Sequence, residues 1–237
     1  MAPLILCIVF TCVGCLFLTL FLIEKVKAYT VKATLLKTIA SLFFIATCAV
    51  GLFERGHHYL SLFALLGLLL GLLGDIWLDF KYVFKQHERP FTYAGFIVFG
   101  LGHVLYITGM YLEFYRGDNP LYIILPLVIG ASISGVNLLL EKPMKLKFGE
   151  YRFIVFAYGV CLFSFIACSF SLLLYCNFQD VTMWMIFIAS IFFALSDLIL
   201  SGTFFGVGKE RPFDIVSNGI TYYIAQYLIA FSMIFLG

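Results

Sequence analysis

The chain has 237 residues, 63% of them hydrophobic and only 12% charged, with 28 phenylalanines and a formal net charge of +2. Soluble domains run nearer half apolar and a quarter charged, so water is not the main solvent of this protein. The seven cysteines (Cys7, Cys12, Cys15, Cys48, Cys161, Cys168, Cys176) are odd in number and lie mostly inside apolar runs, which argues against a disulfide framework. Cys12-x-x-Cys15, within an apolar helix, reads as packing rather than redox or metal chemistry.

The first apolar segment, about 3–23, is too long for a signal-peptide core. It has no basic flank before it and Lys25, Lys27 and Lys32 after it, which predicts an uncleaved span with its N-terminus translocated. About 20 apolar residues cross the hydrocarbon core. Further stretches of that kind follow at about 33–52, 59–79, 93–112, 120–140, 151–175, 182–202 and 214–236. With no water to satisfy the backbone, all eight must be helices. The expectation is an all-α, single transmembrane domain over 1–237.

Basic residues alternate between the loops. Odd-numbered loops hold Lys25, Lys27, Lys32; Lys81, Lys85, Arg89; Lys142, Lys145, Lys147, Arg152; and Lys209, Arg211, while even-numbered loops hold only Arg55 and Arg116. The odd loops are therefore expected in the cytoplasm and both termini in the lumen or outside. The membrane would be the endoplasmic reticulum in a eukaryote and the inner membrane in a bacterium. No nucleic-acid partner is expected.

The third span ends Gly74-Asp75-Ile76-Trp77-Leu78 and the seventh Ser196-Asp197-Leu198-Ile199-Leu200. Glu88-Arg89-Pro90-Phe91 begins thirteen residues beyond the first aspartate, and Glu210-Arg211-Pro212-Phe213 thirteen beyond the second. Both pairs share one offset of 122 residues, close to half the chain. This reads as two parallel four-helix repeats, 1–115 and 116–237, of the kind that meet at a shared site.

Asp75 and Asp197 each fall about five residues before the same end of their spans, roughly 7 Å inside it at 1.5 Å per residue. A lone charge there costs a few kcal/mol or more, so both are expected to face an interior cavity and to carry function. Loss of water favours a neutral carboxyl, and a second carboxyl nearby favours it further, so the two could share protons as acid and base. Behind them, His103 and Tyr106 share a face of the fourth span, as Tyr222 and Gln226 do in the eighth, with Tyr223 alongside. All five are candidates to line the cavity at greater depth. Lys37, early in the second span, either snorkels to the interface or meets a lipid phosphate or an aspartate. Asn137 is a weaker polar candidate, and Asp79 is expected at the interface, solvated. No Walker loop, paired-histidine zinc motif or Gly-x-Ser-x-Gly elbow occurs, so neither metal nor cofactor is expected.

At these residues the sequence resembles the lysoplasmalogenase family, the YhhN-like integral membrane proteins. The resemblance rests on Lys37; Gly74-Asp75 with Leu78; Gly95, Phe99, His103 and Tyr106; Ser196-Asp197-Leu198; and Thr221-Tyr222-Tyr223-x-Ala225-Gln226. It implies hydrolysis of the vinyl ether bond of a lysoplasmalogen, a lysophospholipid, to a fatty aldehyde and glycerophosphoethanolamine or glycerophosphocholine. Asp75 and Asp197 would be catalytic, with the headgroup beside Lys37. The residues alone also suit a proton-coupled transporter of a lipid or small amphiphile. An intramembrane aspartyl protease fits less well, because Ser196 precedes the second aspartate and no Gly-x-Gly-Asp string is present.

Overall fold

The computed structural model describes residues 2–56, 58–206 and 211–237. Lys209 of the loop count and Glu210 of the repeated string lie outside them. Eight α-helices follow one another: α1 Ala2–Lys27, α2 Val31–Arg55, α3 Tyr59–Val83, α4 Glu88–Phe114, α5 Leu121–Leu139, α6 Arg152–Tyr175, α7 Val181–Phe205 and α8 Pro212–Ser232. Local signals place several ends. The Thr30 side chain caps α2 by accepting from the Ala33 amide at 3.2 Å, and Asp180 caps α7 by accepting from Met183 at 2.8 Å. Pro212 opens α8, where its missing amide hydrogen costs nothing.

Most helices outrun the apolar stretches that announce them. Hydropathy marks only the part in hydrocarbon, whereas α3 continues for a turn past Asp79 to Val83. Among the described residues seven helices, α1 to α7, are long and apolar enough to cross a membrane, which makes this a multi-pass membrane protein. The expected count of eight is not reached on apolarity, because α8 spends part of its length on Asp214, Asn218, Thr221 and Gln226.

Short loops make α1–α2, α3–α4, α5–α6 and α7–α8 packed hairpins. Between hairpins α2 packs on α3 and on α8, and α6 packs on α7 and on α4, so six helices close a ring. Helices α1 and α5 lie outside it, against α2 and α6 respectively, with α1 also leaning on α8. The range of α7 is that of α3 displaced by 122 residues, the spacing of the two aspartates. Leu121, Ile124, Leu125 and Val128 leave the outer face of α5 apolar and exposed, as a lipid-facing surface should be. Cys12 and Cys15, read as packing residues, are exposed on α1 instead. The connection after α5 is pinned to the end of α7: the Lys147 amide donates to the Phe205 carbonyl at 2.9 Å, and Phe148 is fully buried against Phe205.

The α3–α4 contact depends on small residues, as membrane helix pairs commonly do. Gly67 and Gly74, two turns apart, share one face of α3, and the rings of Tyr106 and Phe99 fill the space a Cβ would take; at Gly74 that Cβ would stand 2.6 Å from Phe99. Gly67→Ala is therefore expected to destabilise the fold by about 1–3 kcal/mol. The check is the thermal midpoint of the detergent-solubilised protein, which should fall by several degrees and recover partly when Tyr106 is also shortened to Leu.

Candidate functional site

One cavity occupies the end of the bundle where the odd-numbered loops lie. It is lined from the C-terminal parts of α1, α3, α5 and α7 and the N-terminal halves of α2, α4, α6 and α8. Asp75 and Asp197 both face it, as do Lys37, Tyr222, Tyr223 and Asn137. Beside the second aspartate the wall includes a residue that is also exposed at the bundle surface: Leu198, the next residue, is 42% exposed.

The two carboxyls have different surroundings. Asp75, 4% exposed, meets the Lys37 ammonium at 2.7 Å through Oδ1. The Tyr222 hydroxyl also interacts with this carboxyl. Its Oδ2 is buried and has no hydrogen-bond partner among the described residues. Asp197 instead accepts a hydrogen bond on Oδ2 from the Tyr158 hydroxyl. No hydrogen bond joins the two aspartates: each has its own neighbour, drawn from the preceding helix in the same half of the chain, α2 for Asp75 and α6 for Asp197. The expected aspartate pair is thus a pair across a cavity, in which an ammonium faces one carboxyl and a phenol the other.

Neighbouring groups hold these side chains in place. The Tyr223 hydroxyl donates to the Lys37 carbonyl at 3.0 Å and bonds Ser41 at 2.9 Å, which fixes the turn carrying the lysine. The Lys37 ammonium also lies 5.7 Å from the ring centres of Phe21 and Tyr222. Beside the other aspartate, the Asn218 amide donates at 2.9 Å to both the carbonyl and the hydroxyl of Ser196, tying α8 to α7.

Three expected lining residues stand behind the wall rather than on it. The Tyr106 hydroxyl donates to Gln226 Oε1 at 3.5 Å, and Gln226 Nε2 donates to the Tyr222 hydroxyl at 2.7 Å, so both reach the cavity only through Tyr222. His103 is buried among Phe193, Phe165 and Tyr158. Its Nδ1 lies 2.8 Å from the Phe99 carbonyl, which can only accept, so Nδ1 carries the proton and the buried Nε2 is left an unused acceptor. Phe99 and Tyr222 line the cavity in front of these three residues, Tyr222 as expected.

Asp79 departs furthest from expectation. It is not solvated: the extra turn of α3 buries it to 5% exposure, and the Lys25 ammonium meets its Oδ1 at 3.2 Å. Tyr158 and the Lys25–Asp79 pair are the groups that sequence reasoning missed. The 122-residue offset carries Lys37 onto Gly159, one residue beyond Tyr158, so the repeat does not single the tyrosine out.

A model of the YhhN family matches residues 28–233, which takes in both aspartates, both of their partners and most of the cavity wall. No curated protein and no solved structure matches the chain.

Proposed function

Since the chain belongs to the YhhN family, we propose that it hydrolyses the vinyl ether bond of a lysoplasmalogen, releasing a fatty aldehyde and glycerophosphoethanolamine or glycerophosphocholine. The observation that carries this reading is the contrast between two carboxyls on one cavity, one facing an ammonium and the other a phenol.

Vinyl ether cleavage needs an acid and a base of that kind. Proton transfer to the β-carbon makes an oxocarbenium cation, water adds to the α-carbon, and the hemiacetal collapses to aldehyde and alcohol. Asp197, which meets no cation among the described residues, serves as the acid that gives the proton. Asp75, beside Lys37, serves as the carboxylate. Its unpartnered Oδ2 takes a proton from the attacking water, and its charge steadies the cation. In the collapse Asp197 recovers a proton from the hemiacetal hydroxyl while Asp75 returns one to the departing alkoxide, so one water is consumed and both groups are reset. The alkenyl chain leaves along the wall past Leu198 toward lipid, and the headgroup lies toward the end of the bundle.

The same reading takes α8 as an eighth span, the odd-numbered loops as cytoplasmic, and the chain as two halves, 1–115 and 116–237. The matched ranges of α3 and α7 support it, as do the doubled packing of α1 on α2 with α5 on α6 and of α2 on α8 with α6 on α4.

The test is aldehyde release from lysoplasmalogen by the purified protein in detergent, where a proton-coupled transporter has no gradient to use and yields no aldehyde. Within that assay Tyr158→Phe is expected to lower kcat about tenfold with KM little changed, because the phenol orients the acid without holding substrate. An unchanged kcat would remove Tyr158 from the mechanism.

A further inference from the structure

Asp79 lies one turn beyond Asp75 on the same face of α3, so the two carboxyls are stacked about 6 Å apart along the helix. Both line the cavity. One oxygen of Asp79 is committed to Lys25 at 3.2 Å, which fixes how the carboxylate is turned. The other, Oδ2, is buried on a side chain 5% exposed and accepts no hydrogen bond among the described residues. Buried acceptors are nearly always satisfied. One on a cavity wall that no described residue satisfies marks where an occupant presents a donor.

We propose that Asp79 is a specificity-determining residue that reads, through Oδ2, the free hydroxyl on the glycerol carbon next to the ether. This rests on the reading of the cavity as a vinyl ether hydrolase site. With Asp75 serving the water at the ether's α-carbon, that hydroxyl is a few bonds further toward the headgroup. Asp79 is one turn further toward the end of the bundle, so the two displacements run in the same direction. A carboxylate oxygen accepts and cannot donate. A hydroxyl satisfies it, whereas an acyl ester at the same carbon brings no donor and sets a second acceptor against the charge. A lipid with its hydroxyl free is thus distinguished from the acylated one by a hydrogen bond as well as by bulk. Tyr29, stacked on Tyr82 at 3.9 Å between ring centres, flanks this part of the wall and limits the space for a second chain.

The experiment compares kcat/KM for three lipids: a 1-alkenyl glycerophosphoethanolamine, its analogue lacking the neighbouring hydroxyl, and a version whose headgroup amine is replaced by hydroxyl. Sites built to bond a substrate hydroxyl reject the analogue without it strongly, so the unaltered protein is expected to favour the first lipid over the second by about a hundredfold or more. In Asp79→Asn that preference should shrink below about tenfold, with the rate on the hydroxyl-free analogue kept within a few-fold, which also certifies the fold. If the single variant does not fold, Lys25→Met/Asp79→Asn, which removes both charges together, takes its place. Aldehyde release with no hydroxyl preference in the unaltered protein overturns the inference alone. So does an equal loss on all lipids in the variant, or relaxed discrimination of the amine in place of the hydroxyl. No aldehyde from any of the lipids overturns the hydrolase reading, and this inference with it.

Discussion

Asp197→Asn is expected to abolish aldehyde release, by about 10³–10⁴ in kcat, in a protein that folds and inserts normally. General acid catalysis contributes on the order of 10²–10⁴-fold, and carbon protonation leaves no easier route, because the amide has no proton of comparable acidity to give. The fold should tolerate the change: Asp197 faces the cavity, and its one hydrogen bond among the described residues comes from the Tyr158 hydroxyl, which an amide oxygen accepts equally well. Asp75→Asn is expected to lose activity to a similar degree but for a different reason, and with a different cost. It strips the counter-charge from a lysine whose side chain is 12% exposed, so part of the loss is stability. Thermal midpoints measured beside the rates separate the two: near wild type for Asp197→Asn, clearly lowered for Asp75→Asn. Substantial activity in either variant would sink the acid–base assignment.

How far the sequence could be read follows from what sets each feature. Helix order was legible because apolar length is written residue by residue, although α8 falls short of a spanning helix on that measure. The two aspartates were legible because burying them is expensive enough to mark them out. Asp79 was misread because hydropathy ends a span where charge begins, whereas the helix of α3 runs on to Val83 and folds that charge inward against Lys25. The positions of His103, Tyr106 and Gln226 depended on side-chain volume. Periodicity puts them on the right faces, but only packing decides that Phe99 and Tyr222 stand between them and the cavity. Tyr158 was invisible for a related reason. A tyrosine among aromatics is ordinary in a chain with 14 of them, and only its place opposite Asp197 distinguishes it.

The second large effect concerns Lys37, and it tests whether the ion pair holds the fold, the chemistry or both. Lys37→Met leaves Asp75 as a buried carboxyl with no cation, and breaking such a pair typically costs about 3–5 kcal/mol. The single variant should therefore be strongly destabilised and inactive, an outcome that a purely structural pair would also give. The double variant Lys37→Met/Asp75→Leu removes both charges and replaces them with apolar groups of similar length. Since buried pairs are often replaced this way with little loss of stability, its thermal midpoint is expected to return most of the way to wild type. Its aldehyde release is expected to stay at background, because the carboxylate that serves the water is gone. Lys37→Arg completes the set: a cation remains within reach of Asp75, but the larger guanidinium must fit between the rings of Phe21 and Tyr222. Partial activity in Lys37→Arg with none in the restored double variant assigns the pair to catalysis. A double variant that recovers stability and activity together would show that the lysine and aspartate serve only to hold α2 against α3.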